Sequence, residues 1–216
     1  MPLNTQIYTS DLVSETIKNI IFDLGGVLFN IEPERTAEAF AALSNSSPVD
    51  IMELHKSQNF FTDYEKGLIG DHEFRDHIRE FLNKELSDKQ IDDAWGALLL
   101  DIPMNKIAMI KEAGQNHRTF LLSNTNNIHR IKFEADFIET AGNRIQEYFE
   151  KVYYSFEMGM RKPDAEIFLE VLNKNDLNPE ESLLIDDSLP NILSAEHLGM
   201  RTIHVPINKT VIEIQI

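Results

Sequence analysis

The chain has 216 residues, of which 42% are hydrophobic and 26% charged, as is typical of a globular protein with a buried core. Its 36 acidic residues outnumber its 20 basic ones, and the formal net charge of -16 repels nucleic-acid phosphates and anionic membrane surfaces. Cysteine is absent, which excludes disulfides, thiolate zinc sites and cysteine nucleophiles. We therefore expect neither nucleic acid nor membrane as a partner, and the composition leaves the oligomeric state open.

Residues 1–18 alternate polar and apolar side chains, without the basic start and continuous apolar run of a secretion signal. No apolar stretch of the sequence is long enough to span a bilayer. We interpret residues 1–18 as an N-terminal extension and expect a cytoplasmic protein.

Short apolar runs rich in branched and aromatic residues predict buried β-strands. They are Asn19–Leu24, Thr119–Asn124, Lys151–Ser155, Ser182–Asp187 and Arg201–Val205. Helical patterns accompany the last four of these runs. They are Met104–Ala113 ending at Gly114, Asn127–Ala141, Asp164–Asn173 and Asn191–Leu198 ending at Gly199. This alternation predicts an α/β core, residues 19–30 and 101–216, in which a parallel sheet carries helices on both faces.

Residues 31–100 carry only helical patterns and interrupt the alternation. Ser47 and Pro48 begin one helix, and Ser87 with Gln90 resembles a capping box at the start of another. Apolar residues at helical spacing, Trp95 among them, are expected to form the interior of this segment. We predict a small all-helical cap domain over residues 31–100, inserted after the first strand.

Polar residues stand where three of the predicted strands end. They are Asp23 on the first strand, Ser123 with Asn124 on the second, and Asp186 with Asp187 on the fourth. Parallel sheets bind ligands at the carboxyl ends of their strands, so these residues predict a site there. Considered singly, each also fits an ordinary turn or helix cap. Their repetition at strand ends favours a functional interpretation.

The sequence resembles the haloacid dehalogenase-like hydrolase superfamily in four separated motifs, which span residues 19–205. The motifs are Phe22-Asp23-Leu24-Gly25-Gly26-Val27, Leu122-Ser123-Asn124, Lys162-Pro163 and Ile185-Asp186-Asp187-Ser188. The resemblance implies a Rossmann-like sheet and, more narrowly, the branch that includes glucose-1-phosphate phosphatases. It further implies a phosphatase that acts on a small phosphorylated metabolite, such as a sugar phosphate.

The resemblance also implies a mechanism in which Asp23 attacks phosphorus and forms an aspartyl-phosphate. Mg²⁺ would be held by Asp23, the backbone carbonyl of Gly25, Asp187 and, directly or through water, Asp186. Lys162 would act as the catalytic cation that stabilises the phosphoryl oxygens.

Ser123 and Asn124 would help Lys162 to bind the substrate phosphate, through a hydroxyl and backbone N–H groups. Gly25 departs from the usual pattern, because most phosphatases of the superfamily have a proton-donating Asp at that position. Its presence keeps open a catalytically silent domain that binds a phosphorylated ligand or a protein.

A metal-independent dehalogenase-type hydrolase is a further alternative, although the paired Asp186 and Asp187 favour metal-assisted phosphoryl transfer. Among the seven histidines, none shows a zinc-ligand spacing, and His129 alone follows the predicted site closely. For His129 the sequence favours an ordinary helix-surface residue, and for Arg161 a solvated loop cation.

Overall fold

The computed structural model describes residues 16–205, and its centre is one five-stranded parallel sheet. The strands are β1 (Asn19–Phe22), β2 (Arg118–Ser123), β3 (Lys151–Tyr154), β4 (Ser182–Asp186) and β5 (Arg201–His204). Their spatial order is β3-β2-β1-β4-β5, so the first strand lies in the middle. In that register Phe22 lies between Leu121 of β2 and Ile185 of β4. The predicted α/β fold with a parallel sheet is confirmed.

Helices cover both faces of the sheet because adjacent residues of a strand point to opposite sides. The helices that follow residue 100 are α6 (Met104–Asn116), α7 (Asn127–Ala141), α8 (Ser155–Met158), α9 (Ala165–Lys174) and α10 (Leu189–His197). Ile20 and Phe22 pack in a cluster with residues of α6 and α7, whereas Ile21 packs on the opposite face with residues of α9 and α10. Helix α6 continues beyond the predicted end at Gly114, to Asn116.

The segment between β1 and α6 is helical, as its pattern predicts. Its helices are α1 (Pro33–Ser44), α2 (Pro48–Ser57), α3 (Phe60–Glu65), α4 (Asp71–Leu82) and α5 (Asp88–Trp95), followed by a 3₁₀ turn at Gly96–Leu98. Capping boxes at Ser47 and Ser87 begin α2 and α5. Apart from Ile128, the buried cluster of this segment is built from its own residues, with Phe74 and Ile78 fully buried.

Two short connections join the helical segment to the sheet, and they lie side by side. Ile31 and Leu99 form an isolated antiparallel bridge. The backbone N–H of Asn30 donates to the carbonyl of Asp101 at 2.8 Å, and that of Leu100 donates to Asn30 at 3.1 Å. The chain therefore leaves and re-enters the core at one place, which is the geometry of an insertion. The assignment of residues 31–100 as a separate cap domain stays a prediction.

The predicted N-terminal extension falls mostly outside the described residues, as do residues 206–216 at the end of the predicted core. None of the helices within residues 16–205 combines the length and the apolar character needed to cross a membrane.

Candidate active site

Three residues from distant parts of the chain meet at the carboxyl end of the sheet. Asp23 follows β1, Asp186 ends β4, and Lys162 lies in the loop before α9. The ammonium group of Lys162 donates to Asp23 Oδ1 at 2.8 Å and to Asp186 Oδ2 at 2.6 Å. Lys162 is 1% exposed, and a buried ammonium group requires such charge partners. The convergence predicted from the strand ends is present in the structure.

Asp186 is fixed at both of its carboxylate oxygens. Oδ1 accepts from the backbone N–H of Ser188 at 2.9 Å and from Nδ2 of Asn191 at 2.8 Å, while Oδ2 accepts from Lys162. Asn191 lies in the first turn of α10, so that helix orients the carboxylate. These bonds occupy most of the acceptor capacity of Asp186.

Asn124 holds Lys162 in place. Its Nδ2 donates to the carbonyl of Lys162 at 2.8 Å, and its Oδ1 accepts from the backbone N–H of Lys162 at 2.9 Å. This pair of bonds ties the end of β2 to the lysine loop. Because both amide atoms already bond to Lys162, we expect a substrate contact at Asn124 to come from its backbone.

The carboxylates of Asp23, Asp186 and Asp187 form a compact cluster in which one oxygen from each lies within 4.8 Å of the others. Lys162 compensates one of the three negative charges, and the remaining two match a divalent cation. Oxygen-only donors favour Mg²⁺ over zinc. The residues therefore fit the predicted magnesium site.

Gly26 has no side chain, and the carboxylate of Asp187 occupies the space where one would lie. The glycine has φ +73°, and a Cβ built on it would overlap Oδ2 of Asp187. A side chain at position 26 would be strained in the left-handed region and would displace the carboxylate. The glycine of this motif thus has a steric reason that the sequence alone does not reveal.

Burial and crowding perturb the protonation of the cluster. Burial raises the pKa of Asp23 to about 7, with Lys162 opposing the shift and the neighbouring Asp186 and Asp187 adding to it. Burial, followed by the charge of Asp186, raises the pKa of Asp187 to about 6. For Lys162, burial alone would lower the pKa, but the two carboxylates it contacts outweigh burial and raise it. A cation at the carboxylates would favour their ionised forms.

Gly25 and Ser123 open onto the same cavity, of about 340 Å³, which extends from the strand ends into the helical segment. Ser123 is buried, and its hydroxyl lies 3.5 Å from the carbonyl of Asn124. The cavity places the predicted substrate-binding positions opposite side chains of α1, α2 and α3.

His129 and Arg161 differ from their expected roles as surface residues. His129 is buried: Nε2 lies 2.9 Å from the carbonyl of Trp95, and Nδ1 lies 3.1 Å from Nδ2 of Asn126. Arg161 reaches the helical segment, where its Nη2 lies 3.0 Å from Oε2 of Glu65. Both residues connect the core to the helical segment, and contacts across such sequence separations leave no local periodic signal.

The hydrogen bond of Asn191 to Asp186 and the ion pair of Glu65 with Arg161 belong to the site region and were not predicted from the sequence. The Asp-Asp-Ser-x-x-Asn spacing contains the signal for Asn191, since a residue in the first turn of α10 can reach back to the strand end. No comparable spacing predicts the pairing of Glu65, because its partner Arg161 lies in a distant part of the sequence.

Comparison with known proteins places these features in a family context. A family model described as haloacid dehalogenase-like hydrolase matches residues 17–199. A D-ribitol-5-phosphate phosphatase from Bacteroides thetaiotaomicron is 28% identical over 186 residues, covering 86% of this chain and 90% of that protein. A sesquiterpene phosphatase from Aspergillus oryzae is 25% identical over 198 residues, covering 88% and 90%.

A solved structure gives a further match. It is a HAD family enzyme from Bacteroides thetaiotaomicron in complex with magnesium and inorganic phosphate, 41% identical with a TM-score of 0.81. The match covers 87% of this chain and 93% of that one.

Proposed function

Because the chain belongs to the haloacid dehalogenase-like hydrolase family, we propose that it is a magnesium-dependent phosphatase that hydrolyses a small phosphorylated metabolite. The observation that carries the proposal is the meeting of Asp23, Lys162 and the Asp186–Asp187 pair at the end of the sheet. A nucleophilic carboxylate, a cation and a divalent-metal donor set are the groups that phosphoryl transfer from a monoester requires.

The similar proteins support the same chemistry. One relative is named as a phosphatase of D-ribitol 5-phosphate and another as a sesquiterpene phosphatase, so both names specify removal of a phosphoryl group. Their alcohols differ greatly in polarity. The relatives therefore support the reaction more strongly than the expected sugar phosphate or the glucose-1-phosphate phosphatase branch.

Asp23 is the proposed nucleophile. A carboxylate oxygen forms a bond to phosphorus while the ester P–O bond breaks, and the leaving oxygen departs with the electron pair of that bond. Water then attacks the phosphorus of the aspartyl-phosphate, the P–O bond to Asp23 breaks, and inorganic phosphate leaves as the carboxylate is regenerated. The proton of the attacking water passes to solvent or to the phosphate. Gly25 provides no side-chain acid, so the leaving oxygen takes its proton from solvent or from the substrate itself.

Lys162 holds Asp23 in a fixed orientation and presents positive charge where phosphoryl oxygens approach. The hydroxyl of Ser123 and the backbone of Asn124 are the proposed further phosphate contacts. Asn124 also positions Lys162 through the two bonds to its backbone.

Mg²⁺, held by Asp23, the Gly25 carbonyl and Asp187, would neutralise charge between the substrate phosphate and the carboxylates. Asp186 already accepts bonds from Lys162, Ser188 and Asn191. We therefore assign Asp186 a contact through water and the task of holding Lys162.

Hydrolysis of acetyl phosphate and of a panel of phosphate monoesters, with Mg²⁺ or with excess EDTA, tests this function. We expect turnover only with Mg²⁺ and loss of turnover in Asp23→Asn, which removes the nucleophile at nearly constant volume. Asp93→Asn, at an exposed position of α5, is the matched control and should retain full activity.

The two alternatives predict other results. Binding of phosphorylated ligands without any turnover would support a silent domain. Halide release from 2-haloacids in EDTA, without phosphatase activity, would support a dehalogenase-type hydrolase.

A further inference from the structure

The cavity beside the candidate site is walled mainly by aromatic and aliphatic side chains. Phe40, Phe61 and Trp95 from the helical segment face Phe29 and Phe133 from the core. The rings of Phe61 and Trp95 are stacked with centroids 5.5 Å apart. Since the cavity also contains Gly25 and Ser123, whatever is attached to a phosphate at the site extends among these rings.

Most polar side chains that line the inner cavity already bond to the protein. Thr36 Oγ1 donates to the carbonyl of Trp95 at 3.1 Å, and both amide atoms of Asn124 bond to Lys162. Both ring nitrogens of His129 are within hydrogen-bonding distance of protein partners, and Glu65 forms an ion pair with Arg161. Few side-chain groups thus remain to bond the hydroxyls of a guest.

Apart from the buried hydroxyls of Ser123 and Thr125 at the end of β2, the remaining polar residues of the lining lie at its solvent side. His55 and Lys56, near the end of α2, are both exposed, and Met52 beside them is 39% exposed. The imidazole of His55 packs on Phe61 at a centroid distance of 4.1 Å. Polarity therefore increases towards the mouth of the cavity, while the part nearest the rings is apolar.

We infer that the substrate is the phosphate ester of an apolar alcohol, whose hydrocarbon or aryl group occupies this cavity. This inference rests on the proposed phosphatase function. Sugar hydroxyls placed among the rings would lose their water partners with few side-chain groups to replace them, which is unfavourable. A hydrocarbon group of the same size gains by leaving water, and aromatic rings pack well against it.

The first test compares benzyl phosphate with a pentitol 5-phosphate on the unaltered protein with Mg²⁺. Both are esters of primary alcohols, so the missing acid at Gly25 affects them similarly and the comparison isolates the cavity. We expect kcat/KM for benzyl phosphate to be at least tenfold higher. Equal values, or a preference for the pentitol ester, would overturn the inference.

Acetyl phosphate separates this inference from the function on which it rests, because its leaving group is too small to fill the cavity. Hydrolysis of acetyl phosphate together with preference for the pentitol ester would leave the phosphatase standing and remove only the apolar substrate class. If none of the three phosphate compounds is hydrolysed, the phosphatase proposal fails and the apolar-substrate inference falls with it.

A pair of leucine variants gives an independent test. Leu98 is partly buried and lines the cavity, whereas Leu169 is 42% exposed on α9 and is not among the lining residues. Leu98→Gln should lower kcat/KM for benzyl phosphate at least fivefold, with acetyl phosphate changed less than twofold. Leu169→Gln should change neither value.

Unchanged benzyl phosphate kinetics in folded Leu98→Gln would contradict the inference, and circular dichroism establishes that the variant is folded. The comparison on the unaltered protein decides the question even where this variant does not fold.

Discussion

His129 gives the protein a specific sensitivity to acid. Burial, as the largest cause, lowers its pKa from 6.5 to about 4, because the charged form would lose its hydration. The hydrogen bonds favour the neutral ring with its proton on Nε2, which donates to the carbonyl of Trp95, while Nδ1 accepts from Nδ2 of Asn126. Protonation of Nδ1 would place its N–H opposite the N–H of Asn126 Nδ2, and the hydrogen bond between the two side chains would be lost.

The direction of this pH effect follows from the number of protons that the folded and unfolded states bind. Between pH 6.5 and about 4 the unfolded chain protonates this histidine and the folded chain does not, so the free energy of unfolding falls as the pH falls. The shift corresponds to a loss of about 2 kcal/mol at pH 5 and about 3 kcal/mol at pH 4, relative to pH 8. At higher pH the effect is absent, because both states are neutral.

Urea denaturation of the unaltered protein and of His129→Gln, from pH 8 to pH 4, measures the loss. Glutamine can donate to Trp95 and accept from Asn126 without titrating, so subtracting the two profiles removes the contribution of the many carboxylates. Parallel profiles for the two proteins between pH 6.5 and pH 4 would refute the reasoning. NMR titration of the His129 ring gives the folded-state pKa directly.

The remaining predictions concern the candidate site. Lys162→Met should lower turnover roughly 10²–10³-fold, and it should destabilise the metal-free protein by about 3 kcal/mol, because two buried carboxylates lose their cation. Kinetics and urea denaturation measure both effects, and an unchanged rate would make Lys162 a structural residue only. Gly26→Ala should displace Asp187 and weaken Mg²⁺ binding at least tenfold, as measured by calorimetry. The control is Gly142→Ala, which is also at positive φ but has no described atom within 4 Å of its Cβ. This variant should leave the Mg²⁺ affinity unchanged. Equal affinities in the two variants would argue against Asp187 as a ligand. For Gly25, single-turnover phosphorylation should accelerate steeply as the leaving-group pKa falls, whereas a flat series would reveal another proton donor.

Local sequence patterns are sufficient to predict much of the fold. Four of the five strands occur within the predicted runs, β2 begins one residue earlier at Arg118, and all five end one or two residues before the predicted end. The capping boxes at Ser47 and Ser87 begin helices because both bonds of each box form within four residues. The strand order is a different matter. It depends on which edges pair across separations of up to 163 residues, and no local pattern records this.

The candidate site was predictable to the extent that its residues end strands. Asp23 and Asp186 follow from that rule, and the motif resemblance adds Lys162. The sequence did not predict the contacts between the core and the helical segment, such as the hydrogen bonds of His129 and the ion pair of Arg161 with Glu65. These partners meet only after the insertion has packed on the sheet, so their local surroundings are those of ordinary surface residues.

The position of β1 in the middle of the sheet has a consequence during synthesis on the ribosome. Asn19 of β1 neighbours Ser182 of β4, and these residues are 163 positions apart. At typical elongation rates, roughly 8–30 s pass before the second neighbour of β1 has been made. The helical segment, whose buried cluster draws almost wholly on residues 37–95, is available to fold much earlier. We therefore expect ribosome-arrested chains to acquire protease resistance first in this segment, at a stage when β1 still lacks its neighbour β4.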